Sequence, residues 1–316
     1  MQVTKFREGN IPAAEALFGQ NFSQLRRAIP EIPSAMQDPA QVKTHLEGLL
    51  ASSPSLIALE GGRLVGYLGW FIVDNFRGTD RKAAYCPEWG HAAVPGMQPQ
   101  VYGALYRESA AQWASEGCRV HAITLLASEQ ATEKVWFWNG FGLTVVDAIR
   151  RTEPLTIVAP KHFSIRKATR EDAEALSALD AEHWRHYAAA PIFMVPQAPD
   201  DAASFSSFIE KPPNSVWLAT NEGNPAGFMR FESESDGAAT VVQSKDTIAI
   251  TGAYIRPEYR GRQLASAILD AALQYYAGLG FEHCSVDFES FNPEAAGFWM
   301  KYFEPVCLSV VRVPES

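Results

Sequence analysis

No apolar run in the chain approaches the ~18 residues needed to cross a bilayer as a helix. The opening stretch MQVTKFREGN holds no apolar core of signal-peptide length either. Cysteine is scarce. Cys86, Cys118, Cys284 and Cys307 are scattered, without the close pairs of a zinc site or redox motif. Disulfides are unusual in the reducing compartment this implies, so a cytoplasmic location is expected. Positive charge is in deficit as well: 27 Lys and Arg face 36 Asp and Glu, a net charge of −9. That argues against a protein held to nucleic acid by phosphate contacts, although Arg256, Arg260 and Arg262 form a local basic group. Neither a nucleic-acid nor a membrane partner is expected.

What remains is a globular composition, 47% hydrophobic and 20% charged, over 316 residues. That length exceeds the usual size of one domain. Two pairs of matching stretches explain it. LIALEGGRLVGYLGWF (56–71) matches WLATNEGNPAGFMRFE (217–232) in pattern at an offset of 161. Each gives an apolar strand, a glycine turn and a strand opening on Gly66-Tyr67 or Gly227-Phe228, the pattern of a β-hairpin. VYGALYRESAAQWASEG (101–117) matches LASAILDAALQYYAGLG (264–280) at an offset of 163, both helical by periodicity and closed by glycine. A strand and an aromatic-rich helix follow each. The halves share one order of helices, hairpin, strand, helix, strand, helix and strand, too long a period for a solenoid. The chain therefore reads as two copies of one domain, residues 1–153 and 162–316, joined through the proline-bearing stretch TEPLTIVAPK.

The second copy carries ITGAYIRPEYRGRQLASAIL: a strand, a tight basic turn and a helix N-terminus, where free N–H groups and the helix dipole converge on an anion. Downstream lies NPEAAGFW. On these two stretches the chain resembles the GNAT superfamily of acyl-CoA-dependent N-acyltransferases, in tandem over nearly its whole length. The resemblance implies an α/β (α+β) fold of two GNAT-like domains, each a mixed, mostly antiparallel twisted sheet flanked by helices. It implies acetyl-CoA as the acyl donor, its pantetheine arm pairing with Ala253, Tyr254 and Ile255. The pyrophosphate loop falls on Arg260, Gly261, Arg262, Gln263, Leu264 and Ala265, and the second signature on Asn292, Ala295, Phe298 and Trp299. Arg260 and Ala265 fit the loop pattern. Gln263 stands at a glycine position, and Trp299 takes the column where many members carry a tyrosine.

Chemistry explains the residue types. Glycine lets the backbone approach a pyrophosphate, and Arg260 and Arg262 could add charge-assisted contacts. If Gln263 must take a positive φ the cost is about 1 kcal/mol, small beside the ~8 kcal/mol of a micromolar complex. In the first copy the corresponding stretch, HAAVPGMQPQVYGALY, brings Pro99 with no N–H, so that copy reads as a scaffold or a wall of its sister's groove. Acyl transfer to an amine needs a base for the ammonium proton. Asp287 and Glu289 share one face of a strand by alternation, Glu289 being the first choice; the alternative is two solvent-facing carboxylates. Tyr302, one turn after Trp299, is the candidate acid, with water or a core tyrosine as alternatives.

The acceptor segment is LDAEHWRHYAAAPIFM, with Trp184, His186 and Tyr187 as an aromatic-lined groove. His183 and His186 lack a third ligand, so no metal is expected. The stretch FESESDGAAT reads as an exposed acidic hairpin loop able to attract a cation. The expected function is N-acetyl transfer to an amine of a small molecule or peptide. The alternative is a non-catalytic acyl-CoA-binding or regulatory protein on the same scaffold.

Overall fold

The computed structural model describes all residues except 128, 129, 158, 159, 234, 236 and 316. The first half runs β1 (Gln2–Lys5), α1 (Ile11–Ala28), α2 (Pro39–Ser52), β2 (Ser55–Glu60), β3 (Arg63–Gly69), β4 (Phe71–Val73), β5 (Ala83–Cys86), β6 (His91–Ala93), α3 (Gln98–Ser115), β7 (Val120–Leu126), α4 (Gln130–Trp138) and β8 (Gly142–Arg151). The second runs β9 (Phe163–Lys167), α5 (Ala173–Ala188), α6 (Ala202–Ile209), β10 (Ser215–Asn221), β11 (Asn224–Glu232), β12 (Thr247–Ile255), α7 (Leu264–Gly278), β13 (His283–Glu289), α8 (Pro293–Trp299) and β14 (Glu304–Arg312). The repeated order is the one the sequence pattern gives, with a short leading strand, β1 or β9, added to each copy and a short strand, β4, added to the first. β1 is polar and mostly exposed, and β9, though Phe163 and Ile165 alternate with polar residues, shows that alternation over five positions only. Among the described residues no helix is long and apolar enough to cross a membrane.

Both hairpins close as the turn chemistry requires, with Gly62 and Gly223 at positive φ. The repeated Gly66 and Gly227 have a different reason. A Cβ on Gly227 would come within 2.5 Å of the Tyr254 carbonyl, and one on Gly66 within 2.8 Å of the Ala92 carbonyl. The neighbouring strand passes too close for a side chain.

The sheets do not follow the copies. Strands β1-β2-β3-β6 form one sheet, and β4-β5-β7-β14-β8-β13-β12-β11-β10-β9 a second of ten. In the first copy the strand equivalent to β12 is interrupted by the turn at Pro87–Gly90, so its two pieces, β5 and β6, join different sheets. The last strand of each copy is exchanged. β8 lies against β13, and β14 lies against β7. Val146 and Ala148 of β8 accordingly sit in the core of the second half, while Val306 and Cys307 of β14 sit in the core of the first.

A second reciprocal contact joins the copies. The connection before β12 sends Ala239, Val241 and Val242 into the first half's core among α1 and α2. There the Ala239 N–H donates to Asp147 Oδ1 at 2.8 Å and the Val241 N–H to Glu88 Oε1 at 3.1 Å. The expected exposed loop is thus corrected at this end, because its small apolar residues fill a cleft; Glu234 and Asp236 lie outside the described residues. Asp270, in the buried face of α7, has a similar task. Asp270 accepts the N–H groups of Leu155 and Ile157, at 2.6 and 3.2 Å, pinning the stretch between the copies.

Burial, with the nearby Asp287 and Glu88 charges, holds the Asp147 carboxyl well above the usual aspartate range. A raised folded value stabilises the fold fully below the ordinary aspartate value, and that contribution is lost as pH rises through the raised one. Asp147→Asn keeps an acceptor for Ala239. It is expected to be more stable than wild type near ~pH 8, by about 1–3 kcal/mol, with the gap closing toward ~pH 4. Urea midpoints across pH check this.

Candidate active site

β12 and β13 are paired in parallel from Thr247↔His283 to Ile250↔Val286 and then part. Beyond that point β12 stays with β11 and β13 with β8, each by antiparallel pairing that runs to its end. A register shift lies between Arg230/Phe231 on β11, opposite Thr251, where a bulge turns β12 away. Alternate backbone N–H and C=O groups of both strands are thereby left facing a gap. The gap opens into a cavity of about 1050 Å³.

The N-terminus of α7 stands at one end. Gly261 has φ +72° and Gln263 φ 61°, so the turn alternates into the left-handed region immediately before the helix. Gln263 does take the strained conformation, and Gly261 takes one with open space around it. The N–H groups of Leu264, Ala265 and Ser266 begin the helix and have no partner within it. Gly261, Gln263, Leu264, Ala265 and Ser266 all line the cavity. Free N–H donors, a concave turn and a helix dipole fit a pyrophosphate. Arg260 is less available than the sequence suggests: its Nε donates to the Ile255 carbonyl at 2.9 Å and its Nη1 pairs with Glu294. Arg262 is exposed and stands outside the cavity wall. The first copy shows the contrast, because there the Gln98 side chain accepts the Gly96 N–H at 2.8 Å and occupies the donor itself.

Asp287 and Glu289 stand in the cavity where the strands have parted. Burial raises the Glu289 carboxyl above its ordinary value, and the Arg77 guanidinium opposes that rise. Burial, then the Glu289 charge, raises Asp287. Arg77 comes from the first half, in the stretch leading to β5, and its Nη2 donates to Glu289 Oε1 at 2.6 Å. Glu289 Oε2 is buried without a hydrogen-bond partner among the described residues.

Trp184, His186 and Tyr187 of α5 line the same cavity, beside His183. The rings of His183 and Tyr187 are 4.4 Å apart. His183 and His186 do not converge: Nδ1 of His183 is 3.6 Å from Asp180, and Nε2 of His186 is 3.6 Å from Glu294. Burial lowers the His186 value, helped by the Arg260 charge. Among the described residues, one trio of ligand-type side chains, Asp246, Glu282 and His283, lies within 4.8 Å of one another. It sits at the opposite end of β13 from Glu289, about 20 Å away at ~3.3 Å per residue.

Ala253, Tyr254, Ile255, Asn292 and Phe298 also line the cavity. Asn292 spends its carboxamide oxygen on capping α8, accepting the Ala295 N–H at 3.2 Å. Tyr302 is not brought to the wall. Its hydroxyl lies 2.8 Å from Ser266 Oγ, and it is Ser266 that faces the cavity. Trp299 is buried in the aromatic core of this half. Sequence reasoning missed Arg77 and the bulge residue Thr251, whose buried hydroxyl has no partner among the described residues. The local signal for Arg77 was the turn-forming stretch DNFRGTD, which marks a loop and does not say where the loop goes.

Residues 177–303 match the family described as Acetyltransferase (GNAT). The whole chain is similar in structure to a GCN5-related N-acetyltransferase from Sphaerobacter thermophilus, with 13% identity and a TM-score of 0.58, covering 98% of this chain and 95% of that one. It is also similar to the glucosamine N-acetyltransferase region of a fungal multi-domain GH3 β-N-acetylglucosaminidase, at 12% identity and a TM-score of 0.56, covering 98% of this chain and 38% of that one. At such identities the likeness is one of fold. No curated protein matches the sequence.

Proposed function

We propose, from the match of residues 177–303 to the acetyltransferase (GNAT) family, that the second half transfers an acetyl group from acetyl-CoA to an amine. One observation carries the reading: the parting of β12 and β13 puts a helix N-terminus fit for pyrophosphate and two carboxyls, the buried Glu289 and the half-buried Asp287, on one cavity. The N–H groups of Leu264, Ala265 and Ser266 hold the phosphates, and the free edge of Ala253–Ile255 aligns the pantetheine arm as an added strand. Glu289 takes the ammonium proton, and its raised value suits that task. The neutral amine nitrogen then attacks the thioester carbonyl, and as the C–S bond breaks the nitrogen loses its remaining surplus proton, which reaches the departing thiolate through water. The first half contributes Arg77 and the exchanged strand β8.

A second reading, an acyl-CoA-binding protein without turnover, is favoured by the buried Trp299, which brings no hydroxyl to the leaving thiol. Calorimetric titration with CoA and acetyl-CoA tests both. Wild type is expected to bind at micromolar concentration. Ala265→Glu sets a carboxylate in the donor nest and should weaken binding by about 100-fold. Gln263→Gly relieves about 1 kcal/mol of left-handed strain that the free protein already carries, so it should raise stability by about that amount and leave binding unchanged. Absence of binding at millimolar ligand would sink both readings. Binding without acetylation across an amine panel would select the second.

A further inference from the structure

The acceptor end of the cavity contains a cation that the second half does not itself provide. Arg77 and Glu289, 212 residues apart, pair at 2.6 Å, with the Glu289 side chain 11% exposed and Arg77 30%. Before any acceptor enters, the carboxylate best placed as base is therefore already neutralised. With Asp287 beside them held toward its neutral form by burial and by the Glu289 charge, a simple ammonium arriving there meets a balanced pair and adds a positive charge beside a guanidinium, in surroundings where such charges interact strongly. An amine that also carries an anionic group changes nothing in net charge. Its anion can take the Arg77 fork, and its ammonium can take the two Glu289 oxygens, one of which has no partner.

Arg230, the other arginine on this side of the cavity, is less suited to the same role. Its Nη1 is held by Asp200 at 2.9 Å, and its guanidinium carbon lies 3.9 Å from the Phe208 ring centre. Arg77 has Glu289 alone as its ionic partner among the described residues.

We propose that the acceptor is a zwitterion, an amine bearing a carboxylate or a phosphate on a short tether, and that Arg77 selects it. The proposal rests on the acetyl-transfer reading above. Charge bookkeeping then runs through a full cycle. The ammonium gives one proton to Glu289, the neutral nitrogen bonds the acetyl carbon, and as the thiolate leaves with the C–S electron pair the nitrogen sheds its second proton, which reaches the thiolate through water. The amide product has lost its positive charge and is a net anion. Glu289, once it returns its proton to water, competes with that anion for Arg77 and favours release.

The test measures kcat/KM with acetyl-CoA for the twenty standard amino acids and for O-phosphoethanolamine. Each is set beside the amine that lacks the acid group, ethylamine for alanine and ethanolamine for O-phosphoethanolamine. Wild type is expected to favour at least one zwitterion over its paired amine by about 100-fold, and the successful class tells carboxylate from phosphate. Arg77→Met should bring that ratio toward one while calorimetry still finds acetyl-CoA binding, and Arg77→Lys should restore part of it. Plain amines acetylated as well as their zwitterions would overturn the proposal and leave the acetyl-transfer reading standing. So would a protein that binds acetyl-CoA and acetylates no zwitterion. Failure to bind acetyl-CoA would remove the earlier reading, and this one with it.

Discussion

Glu289→Gln is expected to lower kcat by about 10²–10⁴-fold, the span for loss of a positioned general base, with acetyl-CoA affinity retained. The substitution is nearly isosteric and keeps one oxygen to accept the Arg77 donor, so lost activity would not reflect a lost contact between the halves. The pH profile separates a base from a structural carboxylate. A base works deprotonated, so wild-type kcat should fall as pH drops through the Glu289 value, and burial places that limb above the ordinary glutamate range. The limb should vanish in Glu289→Gln. In Arg77→Met it should move upward, because the guanidinium that opposes the effect of burial has gone. A limb that stays in place in Glu289→Gln would transfer the role to Asp287, which burial also raises.

A chain ending at Phe303 is expected to unfold in both halves, although it loses only the last strand of the second. β14 lies between β7 and β8, and its removal exposes an edge of each. Val306 is fully buried in the first half's core and Val310 is 8% exposed. At about 1.5–3 kcal/mol per buried aliphatic side chain, those two alone contribute about 3–6 kcal/mol, against a net stability of about 5–15 kcal/mol for a typical protein. Two hydrogen-bonded ladders are lost besides. Amide hydrogen exchange reads the outcome. Protection should disappear from β7 and from the α1–α2 face as well as from β13. Retained protection across the first half would mean that its core closes without β14.

Those two experiments mark where the sequence was and was not informative. The copy repeat, both hairpins, α7 and the Asp287–Glu289 pair all rest on local periodicity and turn chemistry, which adjacent residues write into the chain. The strand exchange was illegible for a related reason. β8 and β14 descend from one pattern, each is apolar enough for either slot, and pairing with the sister copy satisfies the same backbone groups. Arg77 sits in an irregular turn at φ 53°, outside any periodic segment, and its partner is on another copy. Tyr302 fell on the expected helical spacing, yet its hydroxyl found Ser266, a choice made by packing between α7 and the turn after α8. Gln263 could be read as a departure from a pattern, and only the backbone reveals that it adopts the conformation glycine would have taken.

The place of β14 also bears on how the protein is made. A ribosome releases the first half's helices, hairpin and β7 long before residues 304–312 have been translated, so the strand that completes the first half's core emerges only after nearly all of the second half. Folding of the N-terminal portion as a finished unit during synthesis, the usual course for tandem domains, is closed to this chain. Until those segments emerge, the cleft destined for Ala239, Val241 and Val242 and then the β7 edge stand open to other nascent chains, and a pause in elongation before residue 304 would prolong exposure of that edge.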